Sequence, residues 1–342
     1  MGLLNRLFGK AEDDAAPHDP RAAQMVERVL AMHTRLRLAP RCEARLAAAM
    51  QPALAHLGAL MAGVPRAHQA NTGAWSSDPY MRAYFAAPED IEHVLARSHA
   101  LKAFFDEAPG ATGAFAVMGM QMNERRTLGV ARVGDQTRAD VPQTTLGFSD
   151  HQIRLCGPDE DALREEVTCR MVDQLAIEGL SRVQADVELR KDLEQERALL
   201  AARLRLLARQ GRGLGAVVGS DAGPGDAGEL ARVQAQADAI EDRLKALGPR
   251  SDVLTRQLDV LCEAFANAAT LLQVSLVQRR IDRMNVVVDG EVGDHATSHL
   301  LEFRVARVPG DPPTTRALAI VQVARSEMPR GVNLLDHAER LL

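Results

Sequence analysis

Residues 230–275 read LARVQAQADAIEDRLKALGPRSDVLTRQLDVLCEAFANAATLLQVS. Steps of three and four residues lead from Leu230 through Val233, Ala237, Ile240, Leu244, Leu247, Ser251, Leu254, Leu258, Leu261, Phe265, Ala268 and Leu272 to Ser275, and twelve of these fourteen positions are apolar. A mean step of about 3.5 residues keeps one stripe of side chains on a single helix face, and that stripe is stable only when buried against another helix. The stretch therefore predicts one arm of a coiled coil. Its seam is Leu230, Val233, Ile240, Leu244, Leu247, Leu254, Leu258, Leu261, Phe265 and Leu272. Gly248-Pro249 lies inside the arm, yet the apolar phase runs on through it, which favours a kinked and nearly continuous helix over a full loop.

A second arm is expected upstream. No proline occurs from Asp159 to Gln210, and Leu180, Val183, Val187, Leu193, Leu200, Leu204 and Leu207 supply a less regular stripe, disturbed at Gly179 and Arg190. Between the arms, Gly211 to Gly228 holds seven glycines in eighteen residues, a density that cannot sustain a helix and reads as a reversal. Residues 159–283 thus predict an antiparallel coiled-coil hairpin with a Gly-rich tip at 211–228. Two arms of about fifty residues would each extend roughly 75 Å at about 1.5 Å per residue.

On both sides of the hairpin the pattern shortens to that of strands. Residues 114–122, 126–133, 143–148 and 151–156 are rich in Val, Thr, Phe, Met and Ile and are punctuated by Asn123-Glu124, Gly134-Asp135 and Ser149-Asp150, which predicts four strands. After the hairpin, Met284–Asp289, Leu300–Val308 and Arg316–Ala324 predict three more, and a short helix is expected at 332–342. A hairpin returns the chain to its base, so residues 156 and 284 should be neighbours and the strands should form one antiparallel sheet interrupted by the coiled coil. The N-terminal part predicts helices from Pro20 to about Pro40, from Arg41 to Ala62 with Pro52 inside, and from Pro88 to Pro109, with an irregular connection over 66–87 that carries Trp75, Tyr80 and Tyr84.

The fold class read from the sequence is α+β: N-terminal helices and an antiparallel β-sheet interrupted by a long antiparallel coiled-coil hairpin. The divisions are an amphipathic segment at 1–10, an acidic linker at 11–19, a helical region at 20–110, a sheet domain at 111–158 plus 284–330, and the hairpin at 159–283.

Charge and cysteine usage narrow the function classes. A net charge of -5 from 41 basic and 46 acidic residues gives no overall attraction to nucleic acid or anionic lipid, so a nucleic-acid partner is not expected. Cys42, Cys156, Cys169 and Cys262 are far apart and form no CxxC pair, which suits reduced thiols in a cytoplasmic protein. Arg197, Arg203, Arg205, Arg209 and Arg212 form a basic run without stacking aromatics, and antiparallel pairing sets it opposite Glu229, Asp238, Glu241 and Asp242, the ordinary charge dressing of a coiled-coil seam.

Chemistry-bearing motifs are sparse. The glycine-rich tip lacks the lysine of a phosphate loop and follows a helix, so no nucleotide and no other cofactor is expected. Asp294, His295 and His299 form D-H-x3-H; on a helix the two histidines would share a face and could bind zinc, which makes a metal-dependent enzyme the third reading. His93 and His99, six apart on one expected helix, fall on different faces and read as structural. Leu3, Leu4, Leu7 and Phe8 would gather on one side of a short helix, which could dock on a membrane surface or a partner groove. The leading expectation is a non-enzymatic interaction or scaffold protein, homo-oligomeric or partnered through the hairpin. The second is a peripheral membrane component tethered by residues 1–10.

Overall fold

The computed structural model describes residues 19–133, 136–210, 224–249, 252–288, 298–308 and 313–328. Contacts divide the chain into two compact units, Met1–Ala53 with Asp173–Asn267 and Leu54–Val172 with Ala268–Leu342. Three N-terminal helical segments come first: α1 (Pro20–Met32), a 3-10 turn (Thr34–Leu38) and α2 (Cys42–Ala62). They are followed by β1 (His68–Gln69), α3 (Thr72–Ser77), α4 (Pro79–Tyr84), α5 (Pro88–Arg97) and α6 (His99–Glu107). Two long strands, β2 (Gly113–Val133) and β3 (Gln136–Gly157), lead into α7 (Glu160–Gln210), α8 (Pro224–Ala246), α9 (Val253–Ala266) and the single turn α10 (Ala268–Leu271). Strands β4 (Gln273–Ile281), β5 (His299–Val308) and β6 (Thr314–Ala324) follow. The fold is α+β with an antiparallel sheet and one very long helix, α7.

In the unit of residues 54–172 and 268–342, the sheet order is β3-β2-β6-β5-β4, and β1 lies parallel to β6 at Val321 and Gln322. Strand β6 is central, with Ala319, Ile320 and Val321 buried in succession, so both of its faces are covered. Strands from before and after the helical insertion thus share one sheet, all antiparallel except β1. Its two ends meet through residues 285–288. Leu146 N–H donates to Asn285 O at 2.8 Å and Val287 N–H to Thr144 O at 2.7 Å, while Val288 N–H donates to Arg280 O at 2.8 Å. This segment bridges β3 to β4 and closes the sheet on itself. The junction lies at residues 144–146, within β3, and not at its end near 156.

Three sequence expectations are corrected here. The four strands expected over 114–156 are two, because Asn123-Glu124 pairs straight through against Gly147 and Leu146, and Asp150 marks a bulge where β3 carries extra residues between Gln152 and Ser149 opposite Gly119 and Gln121. Asp150 has φ 51, a left-handed conformation that an Asx residue tolerates, so a turn former serves here as a bulge residue. Beyond Met120, β2 pairs with β3 alone, and this β2–β3 ribbon is joined only on its β3 side, by residues 285–288. The strand expected at Met284–Asp289 reduces to two isolated bridges, Thr145 with Val286 and Ile281 with Val287; the full strand is β4, eleven residues earlier. The connection over 66–87 is not irregular, since Asn71 and Asp78 cap two short helices by accepting from Ala74 N–H at 2.7 Å and Tyr80 N–H at 2.8 Å. These helices place Met81 and Tyr84 in the sheet's core, where Tyr84 meets Phe148 edge-on at 5.2 Å and Phe303 at 6.0 Å.

The end of α2 is tied down by Arg164, which donates to the carbonyls of Met61 at 2.7 Å, Val64 at 3.1 Å and Pro65 at 2.9 Å. The last carbonyls of a helix have few partners of their own, Met61 O accepting only from Val64 N–H at 3.1 Å among described backbone donors, and a guanidinium supplies enough donors to reach all three.

In the unit of residues 1–53 and 173–267, α1 buries Met25, Val26, Val29 and Leu30 along one face. Arg28 forks onto Asp173 with two N–O distances of 2.6 Å, a bidentate pair, and Arg45 pairs with Asp259. The described cysteines are all free thiols, and burial pushes the Cys156 thiol up to about 11, which keeps it protonated and unreactive at neutral pH.

Candidate functional site

The hairpin carries the leading functional expectation, and its geometry can be followed residue by residue. Contacts between the arms run in opposite senses: Gly179 faces Leu261 and Ala264, Arg190 faces Leu247 and Gly248, and Arg203 pairs with Glu229. As the number rises on α7 it falls on α8 and α9, so the arms are antiparallel. Leu193, Leu200, Val233, Ile240 and Leu244 form one buried cluster, with Leu204, Leu207, Ala237 and Leu247 against it. Further along, Leu258, Leu261 and Phe265 have no exposed surface, and Leu254 is half-buried. Leu230 is exposed at the far end of the stripe. Leu272 and Ser275 fall outside the arm, because the helix ends at Leu271 and β4 begins at Gln273.

The second arm is two helices and not one kinked helix. Gly248 adopts φ +73, the left-handed conformation that ends a helix without Cβ strain, and α9 restarts at Val253. Arg190 donates to Leu247 O at 2.6 Å and Gly248 O at 2.7 Å, satisfying carbonyls at this break. Gly179 is a point of close approach, where a Cβ would lie 2.8 Å from Leu261 Cδ1 and 3.2 Å from Ala264 Cβ. The two residues that disturb the first arm's stripe are therefore the ones that fit it to the second. One shortens the distance between the helices; the other caps the interruption. The break leaves a groove of ≈ 450 Å³ with an apolar floor of Val183, Val187, Leu247, Val253 and Val260.

No protein family, curated protein or solved structure matches this chain.

The remaining sequence candidates are scattered. Leu3, Leu4, Leu7 and Phe8 lie outside the described residues, as do Asp294, His295, residues 211–223 of the expected 211–228 tip and the helix expected at 332–342; the rest of that tip, 224–228, is not a reversal but the first turn of α8, which Pro224 opens. His299 opens strand β5 opposite Ile281, so it does not contribute to a helical i, i+4 pair. Among the described residues no group of three or more His, Cys, Asp or Glu side chains is placed to hold a metal ion. No described helix is long and apolar enough to cross a membrane.

Of the basic run, Arg203 pairs with Glu229, while Arg197, Arg205 and Arg209 are exposed and have no ion pair with another described residue. The outward face of α7 also carries Leu199, 71 % exposed, and Leu206, 60 % exposed, seven residues apart and so on one side of the helix, with exposed Ala202 between them. The sequence stripe did not single these out, because it selects the residues that face the other arm.

Proposed function

We propose that the protein is a non-catalytic assembly protein whose helical hairpin joins a second copy of itself. The observation that carries this reading is the outer apolar strip of α7. Leu199 and Leu206 face away from a seam that is already filled by Leu193, Leu200, Leu204 and Leu207. Large apolar side chains aligned on an outer helix face favour burial against another surface, at about 25 cal/mol per Å² removed from water. Charge supports a second copy as that surface. The strip is flanked by Arg205 and Arg209, whereas α8 exposes Asp238, Glu241 and Asp242, the last two shared with Lys245 of the same helix at 3.6 and 3.4 Å. Two hairpins side by side, each arginine-bearing arm on the other's acidic arm, make a closed two-fold arrangement in which the same surfaces are used twice.

Light scattering coupled to size exclusion tests this on the full chain. The wild type is expected at twice the chain mass or more, and Leu199→Glu with Leu206→Glu at the mass of one chain with unchanged helical circular dichroism. A wild type that runs as a single chain at tens of micromolar, or a double variant that keeps the wild-type mass, overturns the proposal.

A further inference from the structure

His93 and His99 fall on different faces of the single helix expected over residues 88–109, but the helix is broken between them. Ser98 is extended, and its Oγ accepts from Leu101 N–H at 3.1 Å, so α5 ends at Arg97 and α6 starts afresh at His99. The break turns both histidines toward a cleft against β3. That cleft has a volume of ≈ 640 Å³, and its polar lining is dominated by His93, Arg97, His99, His151, Gln152 and Arg154.

Its charge is one-sided. Asp150 is the only acid of the lining, and Arg316 neutralises it, donating to Asp150 O at 3.0 Å and pairing with the carboxylate; that pairing holds the Asp150 carboxyl below its ordinary range. Arg97 is exposed and has no ion pair with another described residue. Arg154 is aimed by Gln152, whose Oε1 accepts from it at 2.9 and 3.2 Å, while Gln152 Nε2 donates to Asp150 Oδ1 at 2.9 Å. An amide carbonyl orients the guanidinium without neutralising it. His151 forms a neutral wall: its Nε2 donates to Tyr84 O at 2.8 Å, its ring stacks on Phe85 at 4.6 Å, and burial keeps it below the ordinary histidine range. Val94 and Ile153 add apolar surface beside the charges.

We propose that this cleft binds a phosphate monoester, with Arg97 and Arg154 on the phosphoryl oxygens and the organic group in the remaining volume. Two guanidiniums match a dianionic phosphoryl group in charge and offer the planar paired donors that its oxygens accept. The volume falls within the range of small-molecule sites, about 300–1,000 Å³, which leaves room beyond a bare anion. This assignment is independent of the hairpin's role in assembly.

The test is titration of the full chain at low ionic strength with phenyl phosphate and with inorganic phosphate, beside flotation with phosphatidylcholine vesicles with and without phosphatidic acid. Phenyl phosphate should bind saturably and more tightly than inorganic phosphate, and Arg97→Gln with Arg154→Gln should weaken it by roughly tenfold or more, whereas Arg125→Gln, an exposed arginine on the β2–β3 ribbon, should leave it unchanged. Flotation that requires phosphatidic acid and is lost in the double variant assigns the same site to a lipid headgroup. Should the double variant melt early, Arg97→Gln alone carries the comparison, since its side chain is exposed. Absence of saturable binding to all three probes, or binding that the arginine variants leave intact, overturns the site. Equal affinity for inorganic phosphate and phenyl phosphate overturns the ester.

Discussion

Phe265→Ala is expected to destabilise the protein by about 3–5 kcal/mol, the largest effect of any single truncation in the hairpin unit. Phe265 lies in the last turn of α9 and has no exposed surface, and neither do Leu261 and Leu258, one and two turns before it. Removing a ring that is fully enclosed leaves a cavity that a close-packed interior can only partly refill, so the loss includes both the transfer term and the unfilled volume. A native protein is held by only about 5–15 kcal/mol, so this fraction should be plain in a denaturant melt followed by helical circular dichroism. The midpoint should fall while the slope stays the same. A loss below about 1 kcal/mol would mean that Phe265 is not enclosed as described.

Gly179→Leu should have the next largest effect, about 1–3 kcal/mol or more, by the opposite route of too much volume. A Cβ at this position would already come within 2.8 Å of Leu261 Cδ1 and 3.3 Å of Leu261 Cα, and a leucine adds three carbons beyond it. The Leu261 side chain can rotate away, but the α9 backbone cannot, so the arms must part. Alanine is the informative contrast. Glycine inside a helix is about 1 kcal/mol worse than alanine, so Gly179→Ala should gain in propensity part of what it loses in contact. Leu261→Ala introduced together with Gly179→Leu should recover stability relative to the sum of the two single changes, since the two side chains compete for one space. Simple additivity in that cycle would place Gly179 away from Leu261.

Much of the hairpin could be read from residues. The stripe from Val233 to Phe265 and the glycine run after Gln210 required two arms and a reversal, and antiparallel order follows from a reversal. The stripe overran its helix because Leu272 and Ser275 still satisfy a step of three or four although the helix ends at Leu271 and β4 begins at Gln273, and periodicity alone cannot locate the point where one gives way to the other. Gly248-Pro249 was legible as an interruption, but its depth depended on Arg190, fifty-seven residues away in sequence, reaching the freed carbonyls. Asp150 illustrates a related ambiguity: residues that favour positive φ serve turns and bulges alike, and the choice is made by the partner strand.

The cleft at Ser98 was hidden for a different reason. Helix-face arithmetic assigns His93 and His99 to different faces, and that arithmetic holds only while the helix is unbroken. Ser98, three residues before Leu101, carried the signal as an N-cap, but its context offers no proline or glycine to mark a stop. The charge balance of the cleft was beyond reach altogether, since neutralisation of Asp150 by Arg316 joins positions 166 residues apart.

The most direct test of the hairpin is cross-linking at its far end. Arg203→Cys with Glu229→Cys replaces an ion pair between the arms, and mild oxidation should join the two positions within a single chain. Arg182→Cys with Glu229→Cys, displaced by about 30 Å along α7 at about 1.5 Å per residue, should not join. A within-chain disulfide for the first pair alone is the predicted result. Equal yields from both pairs, or no within-chain product from either, would contradict an antiparallel hairpin.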